Sequence, residues 1–221
     1  MAIRVALSWS GGKDSCMAYD RLAQDGYEVA CLVTTVPREI GRTFGHGERI
    51  ELIRAQGEAL GLPVSFIDCG FETYTDDYVS AVRELRKAYR LDAIAYGDLF
   101  LAEHREWGTG VADAAGLEAL YPLWMKPEDT EAALRRFVDS GYRAVVIRVR
   151  DSVLSADWLG REVDRSFMAD IARLPDVCPM GEGGEYHTFV YDGPRFRHPI
   201  PLAKGEVLQL ETTKRLELAL A

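Results

Sequence analysis

The chain has 221 residues, of which 48% are hydrophobic and 28% charged, and its formal net charge at pH 7 is -9. The hydrophobic content is enough for a packed core and excludes an intrinsically disordered chain. The acidic balance disfavours a general DNA or RNA binder, which needs a basic face, and no apolar run approaches the roughly 18 residues of a membrane span.

A glycine-rich loop follows the first predicted strand. Residues 3–7 form an apolar run that predicts a buried strand, and residues 16–22 have a helical pattern. Glycine lets backbone N–H groups approach a ligand, and a helix N-terminus attracts phosphate oxygens. The pattern predicts a phosphate-binding loop with Lys13 as a mobile positive charge, or else an ordinary strand-to-helix turn. The loop residues are Ser10, Gly11, Gly12, Lys13, Asp14 and Ser15.

This loop differs from the commonest nucleotide-binding motifs. Asp14 follows Lys13 where a Walker loop has Ser or Thr, and Leu7 stands where that motif has its first glycine. Residues 10–15 instead resemble the Ser-Gly-Gly-x-Asp-Ser loop of the N-type ATP pyrophosphatases. The resemblance implies that the loop binds the pyrophosphate end of ATP, and that AMP is transferred to a substrate oxygen. ATP chemistry also implies Mg²⁺, although the sequence contains no certain metal motif.

Further strands and helices alternate as far as residue 97. Strands are predicted at residues 27–36, 64–68 and 92–97, and helices at 49–60 and 75–89. This order predicts an α/β fold in which helices cover both faces of a parallel sheet. The loop resemblance implies its adenine nucleotide α-hydrolase-like, Rossmann-like form. Ligands bind at the carboxyl ends of such strands, which groups the loop with Thr34, Thr35, Asp68, Gly97 and Asp98.

The segment after the fourth strand allows two interpretations. Asp98 either caps a helix that Leu99 opens or faces the nucleotide. The next residues are charged or polar, a pattern that most often indicates a solvated helix face; they include Glu103, His104 and Arg105. His104 has no second histidine at ligand spacing, which disfavours a zinc site.

The chain changes character after about residue 150. A helix is predicted at residues 127–140 and a fifth parallel strand at 143–149, followed by a helix at 156–174. Strands at 187–191, 207–212 and 216–220 alternate and predict a smaller antiparallel α+β part. We therefore expect an ATP-binding domain over residues 1–150 and a substrate-binding domain over 151–221. The last strand could pair with a second subunit, which favours a homodimer.

A second unusual stretch runs from residue 179 to 194. It places Glu182, Glu185 and His187 among three glycines. These side chains could position or deprotonate an amine, or coordinate Mg²⁺. The alternative is a glycine-rich hairpin with solvated polar residues.

The two stretches together resemble the diphthine–ammonia ligase family. Residues 181–194 match its Gly-Glu-x-Gly-Glu-Tyr/Phe-His-Thr run and the Phe-Val-Tyr-Asp-Gly-Pro that follows, and the match extends over residues 5–200. The resemblance implies adenylation of the carboxylate of diphthine, a modified histidine of elongation factor 2, and displacement of AMP by ammonia. It implies a catalytic group (Lys13, Asp14, Glu182, Glu185 and His187) and a substrate-binding group (His46, Gly97, Asp98, Glu103, Arg105 and Thr188).

One segment departs from the family pattern and leaves the substrate open. Residues 100–107 are similar to a bacterial-type branch and differ from the Ser-Glu-Tyr-Gln-Arg run of archaeal and eukaryotic ligases. A bacterial member would amidate a different carboxylate, such as a cobalamin-related acid. Two further alternatives are a tRNA-modifying enzyme with the same ATP loop and an ATP-binding sensor without turnover.

The cysteines and the N-terminus bear on the compartment. None of the four cysteines forms a Cys-x-x-Cys pair, which disfavours a zinc, iron–sulfur or redox site and favours buried thiols in a reducing compartment. No signal-peptide pattern precedes the first predicted strand. We therefore expect a cytoplasmic protein that binds neither DNA nor membranes.

Overall fold

The computed structural model describes residues 2–221, which divide into two units, each built on its own sheet. The first unit comprises residues 2–10 and 14–124, and the second comprises Gly11–Lys13 and Met125–Ala221. The three residues Gly11–Lys13 thus belong with the second unit although the first strand leads into them. The division falls after Trp124, whereas the sequence predicts a domain boundary after residue 150.

The first unit contains a parallel sheet of five strands in the order β3-β2-β1-β4-β5. Val5, Ala6 and Leu7 are all fully buried, so both faces of the central strand are covered. This arrangement confirms the predicted α/β class. The strands are β1 (Arg4–Ser8), β2 (Glu28–Pro37), β3 (Val64–Cys69), β4 (Ala93–Ala95) and β5 (Glu118–Leu120), and the helices are α1 (Lys13–Gln24), α2 (Ile50–Leu60), α3 (Tyr74–Tyr89) and α4 (Ala102–Ala115).

The helices of the first unit bury the apolar stripe that their spacing predicts. Tyr78 and Val82 of α3 and Val111 of α4 pack in one cluster with the sheet residues Val33 and Ile94. Burial of such side chains contributes about 1.5–3 kcal/mol each, which stabilises these helices far more than their intrinsic propensity does. No helix within residues 2–221 is long and apolar enough to span a membrane.

The second unit contains an antiparallel sheet of four strands in the order β7-β6-β9-β8. Its strands are β6 (Arg143–Arg150), β7 (Tyr186–Asp192), β8 (Leu202–Gln209) and β9 (Thr213–Leu220), and its helices are α5 (Thr130–Asp139) and α6 (Arg165–Ile171). Short 3₁₀ turns at Pro127–Asp129 and Ala156–Trp158 precede the two helices. The antiparallel second part confirms the predicted fold class.

The prediction of a fifth parallel strand at residues 143–149 is wrong. That segment is β6, which pairs antiparallel with β7 and β9. The true fifth strand is β5, which pairs with β4 over only three residues. Three residues are too few to show a strand period, whereas β6 has the apolar run of a buried strand in either kind of sheet.

The predicted helix at residues 156–174 is much shorter in the structure. Gly160 N donates to the Val146 carbonyl and Val163 N donates to the Ala144 carbonyl, so this segment runs along β6 instead of coiling. The helix begins only after Asp164, whose carboxylate accepts a bond from Phe167 N at 2.8 Å. The predicted strand at 207–212 is displaced too, because Leu210 N bonds the Thr213 carbonyl and closes a turn between β8 and β9.

Candidate functional site

The first glycine-rich loop has the backbone that its sequence predicts. Gly11 has a φ of +81°, in the left-handed region that favours glycine. α1 begins at Lys13, and Asp14 lies in its first turn, where a carboxylate complements the helix dipole. The hydroxyls of Ser10 and Ser15 lie 3.4 Å apart.

Lys13 is not the mobile cation that the sequence predicts. Its side chain is only 2% exposed, and its Nζ donates to the Met180 carbonyl. The same Nζ lies 4.8 Å from the centre of the Tyr186 ring, a favourable cation–π contact. In this structure the ammonium therefore stabilises contacts within the second unit, and the binding of ATP by Lys13 remains a prediction.

The second glycine-rich segment is a tight turn held from β6. Gly181 and Gly184 have φ values of +69° and +79°, and Gly184 N donates to the Gly181 carbonyl at 2.9 Å. Arg150 donates through its guanidinium to the carbonyls of Gly183 and Gly184. A Cβ at position 181 would lie 2.9 Å from ring atoms of Tyr186, so only glycine fits there.

Strand β7 joins the two glycine-rich segments within the second unit. Thr188 Oγ1 accepts a bond from Lys13 N at 3.0 Å, and Val190 N donates to the Gly11 carbonyl at 2.9 Å. Thr188 is 1% exposed. Residues 175 positions apart in the chain are therefore in contact.

The acidic residues and the histidine of this segment differ in burial. Glu185 is 8% exposed; its Oε1 accepts from Cys178 N at 3.2 Å, whereas its Oε2 is buried with no hydrogen-bond partner within residues 2–221. Glu182 and His187 are half-buried. His187 lies directly opposite Arg148 of β6, so a positive guanidinium shares its face of the sheet.

The carboxyl ends of β1 and β2 form a cavity of about 140 Å³ in the first unit. Thr34 Oγ1 donates to the Trp9 carbonyl at 2.7 Å, and the Thr35 and Tyr74 hydroxyls are 3.0 Å apart. Burial raises the pKa of Tyr74 and, more strongly, that of Tyr78, so both phenols are neutral at pH 7. The lining residues are Ser8, Trp9, Ser10, Val33, Thr34, Thr35, Thr43, Phe44, Tyr74, Tyr78 and Trp107.

Aromatic side chains extend from this cavity along α3 and α4. Trp107 contacts Tyr78 and Tyr74 with ring centres 5.2 and 5.9 Å apart. The Arg105 guanidinium lies 4.6 Å from the centre of the Trp124 ring. No local sequence pattern predicts these aromatic contacts, because the residues that make them come from separate elements.

Asp98 does not cap α4, which begins four residues later with Leu101 in the capping position. Instead, its Oδ1 accepts from His104 Nδ1 at 2.8 Å. A Cβ on the preceding Gly97 would lie 3.4 Å from the backbone of Asp14 and Ser15. This part of the strand edge therefore lies against the start of α1.

The remaining candidates are spread around the first unit. His46 is half-buried in the loop after β2 whose Thr43 and Phe44 line the cavity. Glu103 is exposed in the first turn of α4. Asp68 is exposed and pairs with Arg38 at 3.1 Å, so its carboxylate is engaged outside the cavity lining.

Thiols and metal ligands offer little further chemistry. Cys16, Cys31 and Cys69 are buried, and burial raises the pKa of Cys31 to about 12. These thiols are therefore protonated at neutral pH and unsuited to nucleophilic attack. No cluster of three or more His, Cys, Asp or Glu that could hold a metal ion occurs between residues 2 and 221.

Comparison with known proteins identifies the family. The chain matches the diphthamide synthase N-terminal domain over residues 3–119 and the C-terminal domain over residues 129–216. It is 26% identical to the diphthine–ammonia ligase of Bos taurus over 93% of this chain and 85% of that protein. The diphthine–ammonia ligase of Schizosaccharomyces pombe is 28% identical over 90% of this chain, which spans 36% of that longer protein.

Among solved structures, the U34-tRNA thiolase NcsA of Methanococcus maripaludis matches this chain with a TM-score of 0.39 and 17% sequence identity. The match covers 62% of this chain and 56% of the thiolase chain. The two family domains, in contrast, together cover nearly the whole chain. The glycine-rich segments and their neighbouring strands lie within the matched residues. The chain belongs to the diphthamide synthase family.

Proposed function

We propose that this protein is an ATP-dependent amide ligase of the diphthine–ammonia ligase type. It adenylates a substrate carboxylate, releases pyrophosphate and transfers ammonia to the activated acyl group. The proposed acceptor is the diphthine residue of elongation factor 2, in line with the names of its relatives.

The observation that carries the proposal is the connection between the two glycine-rich motifs. Thr188 and Val190 hydrogen-bond to the backbone of Lys13 and Gly11. Residues Gly11–Lys13 of the nucleotide loop and the segment with Glu182, Glu185 and His187 thus belong to one assembly in the second unit. A bare nucleotide-binding loop would need no such partner segment, whereas a ligase needs groups that handle the acid and the amine.

The first unit offers features that fit the nucleotide. Its cavity at the ends of β1 and β2 has a flat aromatic lining and several hydroxyls, which suits a base stacked on rings and bound at its edge. Ser10, which lines this cavity, is also the first residue of the loop. In the second unit, the left-handed Gly11 and Lys13 at the N-terminus of α1 suit phosphate oxygens.

The proposed reaction has two steps. A carboxylate oxygen of the substrate attacks the α-phosphorus of ATP, and the bond to pyrophosphate breaks. The nitrogen of ammonia then attacks the acyl carbon, the bond to the AMP oxygen breaks, AMP leaves with the electron pair, and the nitrogen loses one proton to solvent. We assign Asp14 to the first step, adenylation of the carboxylate. In the second step the acyl group and the amine are oriented by Glu182, Glu185 and His187.

Magnesium has a more limited part in this proposal. The described residues supply no cluster of metal ligands, so they do not fit an ion held by the protein alone. Mg²⁺ would arrive bound to the phosphates of ATP, and no step above is assigned to it.

The test is the nucleotide product profile with a panel of acceptors. The protein is incubated with Mg-ATP, ammonium and either diphthine-bearing elongation factor 2 or small carboxylic acids, and AMP is resolved from ADP. Asp14→Ala serves as the blank. AMP and pyrophosphate formed with the elongation factor support the proposal. ADP and phosphate, or no AMP with any acceptor despite measured ATP binding, would refute it.

A further inference from the structure

We propose that Phe44 is the aromatic side chain on which the base of ATP stacks in the cavity of the first unit. This inference rests on the proposed ligase function and deepens it, because it assigns a base-binding residue that lies outside both glycine-rich motifs. Phe44 belongs to the loop that follows β2 and precedes α2.

The ring of Phe44 is half exposed although it contacts the lining of a cavity. Phe44 is 52% exposed, and a single exposed apolar side chain is common on protein surfaces. Phe44, however, lines the cavity at the ends of β1 and β2, and its ring centre lies 5.1 Å from that of Tyr74. The exposed apolar area therefore borders a concave site, where a flat ligand would remove it from water.

The backbone of Phe44 is held by the protein itself. Phe44 N donates to the Thr35 carbonyl at 3.0 Å, which attaches this residue to the end of β2. Thr43 N donates to the Glu48 carbonyl at 3.0 Å, and Glu48 N donates to Thr43 Oγ1 at 2.9 Å, so the turn between them is closed. Gly45, with a φ of +74°, lets the chain reverse directly after Phe44. A ring on such a preorganised turn loses little freedom when a ligand stacks on it.

The polar groups beside the ring already bond to protein atoms. Thr34 Oγ1 donates to the Trp9 carbonyl at 2.7 Å, and the Thr35 and Tyr74 hydroxyls are 3.0 Å apart. A ligand would have to compete for these hydroxyls, whereas it could cover the exposed ring of Phe44 without breaking a hydrogen bond. This part of the lining therefore favours a flat aromatic ligand over a purely polar one.

A purine base has the shape and the chemistry that such a ring requires. The π-face of a base stacks on an aromatic side chain, and replacing that side chain by alanine weakens binding by about 5- to 150-fold. The cavity, at about 140 Å³, is smaller than the pockets that enclose whole ligands of nucleotide size. It therefore suits the base alone.

The test compares two probes: ATP, and inorganic triphosphate, which carries similar charge but has no base. Phe44→Ala removes the ring, and Phe44→Tyr retains it. Phe71→Ala is the matched control, because Phe71 is 51% exposed in the loop after β3 and is absent from the cavity lining. Dissociation constants are measured by isothermal titration calorimetry, and urea unfolding checks that each variant is folded.

We expect Phe44→Ala to weaken ATP binding by about 5- to 150-fold, whereas Phe44→Tyr and Phe71→Ala stay within about twofold of the wild type. The affinity for inorganic triphosphate should stay within about twofold in every variant. Unchanged ATP affinity in Phe44→Ala, an equal loss in Phe71→Ala, or an equal loss of triphosphate affinity would overturn the inference. A wild-type protein that does not bind ATP would instead refute the proposed function, and the inference with it.

Discussion

Replacing Thr188 by valine tests the connection between the two glycine-rich motifs. Valine has nearly the shape of threonine but cannot accept the bond that Thr188 Oγ1 receives from Lys13 N at 3.0 Å. Lys13 is the first residue of α1, where backbone N–H groups must find acceptors outside the helix. Leaving a buried donor unsatisfied costs about 1–3 kcal/mol, which is roughly 5- to 150-fold in the unfolding equilibrium.

The assay is urea unfolding followed by circular dichroism, together with the dissociation constant for ATP. We expect the midpoint of Thr188→Val to fall with little change in the m-value, and ATP binding to weaken because the loop loses an anchor. Thr212→Val, at an exposed position in the β8–β9 turn, is the control and should change neither quantity. A loss of stability below about 0.5 kcal/mol, with unchanged ATP affinity, would refute the reasoning.

Three further predictions concern a glycine turn, a thiol and the nucleotide loop. Gly181→Ala should destabilise the protein by about 2 kcal/mol or more in urea unfolding, because its Cβ would meet Tyr186 at 2.9 Å and its φ is +69°. Gly110→Ala, at an open helical position, should stabilise it by about 1 kcal/mol; the opposite order would contradict the packing of Tyr186 against this turn. Burial raises the pKa of Cys31 to about 12, so its contribution to stability is complete below about pH 8.5 and is lost as the pH rises to 12. The free energy of unfolding should therefore fall with pH in this range, and Cys31→Ala should reduce the slope by up to about 1.4 kcal/mol per pH unit. An unchanged slope in this variant would argue against the raised pKa. Asp14→Asn should abolish AMP formation while lowering stability by no more than about 1 kcal/mol, and retained turnover would remove Asp14 from the reaction.

Periodicity predicted the long elements well and the short ones poorly. The helices α2 and α3 and the strands β2 and β3 lie within a few residues of their predicted ranges, because each has a full apolar stripe or run. β5 has only three residues, and its pairing with β4 depends on the rest of the sheet. The sheet to which β6 belongs could not be predicted either, because a buried apolar run does not show whether its neighbouring strands are parallel or antiparallel.

In the candidate site, too, local features could be predicted from the sequence, whereas contacts between distant residues could not. The glycines of both motifs stand together in the sequence, so the turns that they form could be predicted locally. The burial of Lys13 depends on Met180 and Tyr186, which are distant in the chain, and no local pattern indicates that contact. The bond between His104 and Asp98 spans six residues, but it exists only because α4 begins at Ala102 and leaves Asp98 in the preceding loop.

The most direct test of the account follows an oxygen atom from the acid to the nucleotide. The acceptor carboxylate is labelled with ¹⁸O, the reaction is run with Mg-ATP and ammonium, and the products are analysed by mass spectrometry. Attack by the carboxylate on the α-phosphorus predicts one ¹⁸O atom in the phosphate of AMP and none in pyrophosphate. Label in inorganic phosphate with ADP as the other product, or AMP without label, would contradict adenylation of the acid.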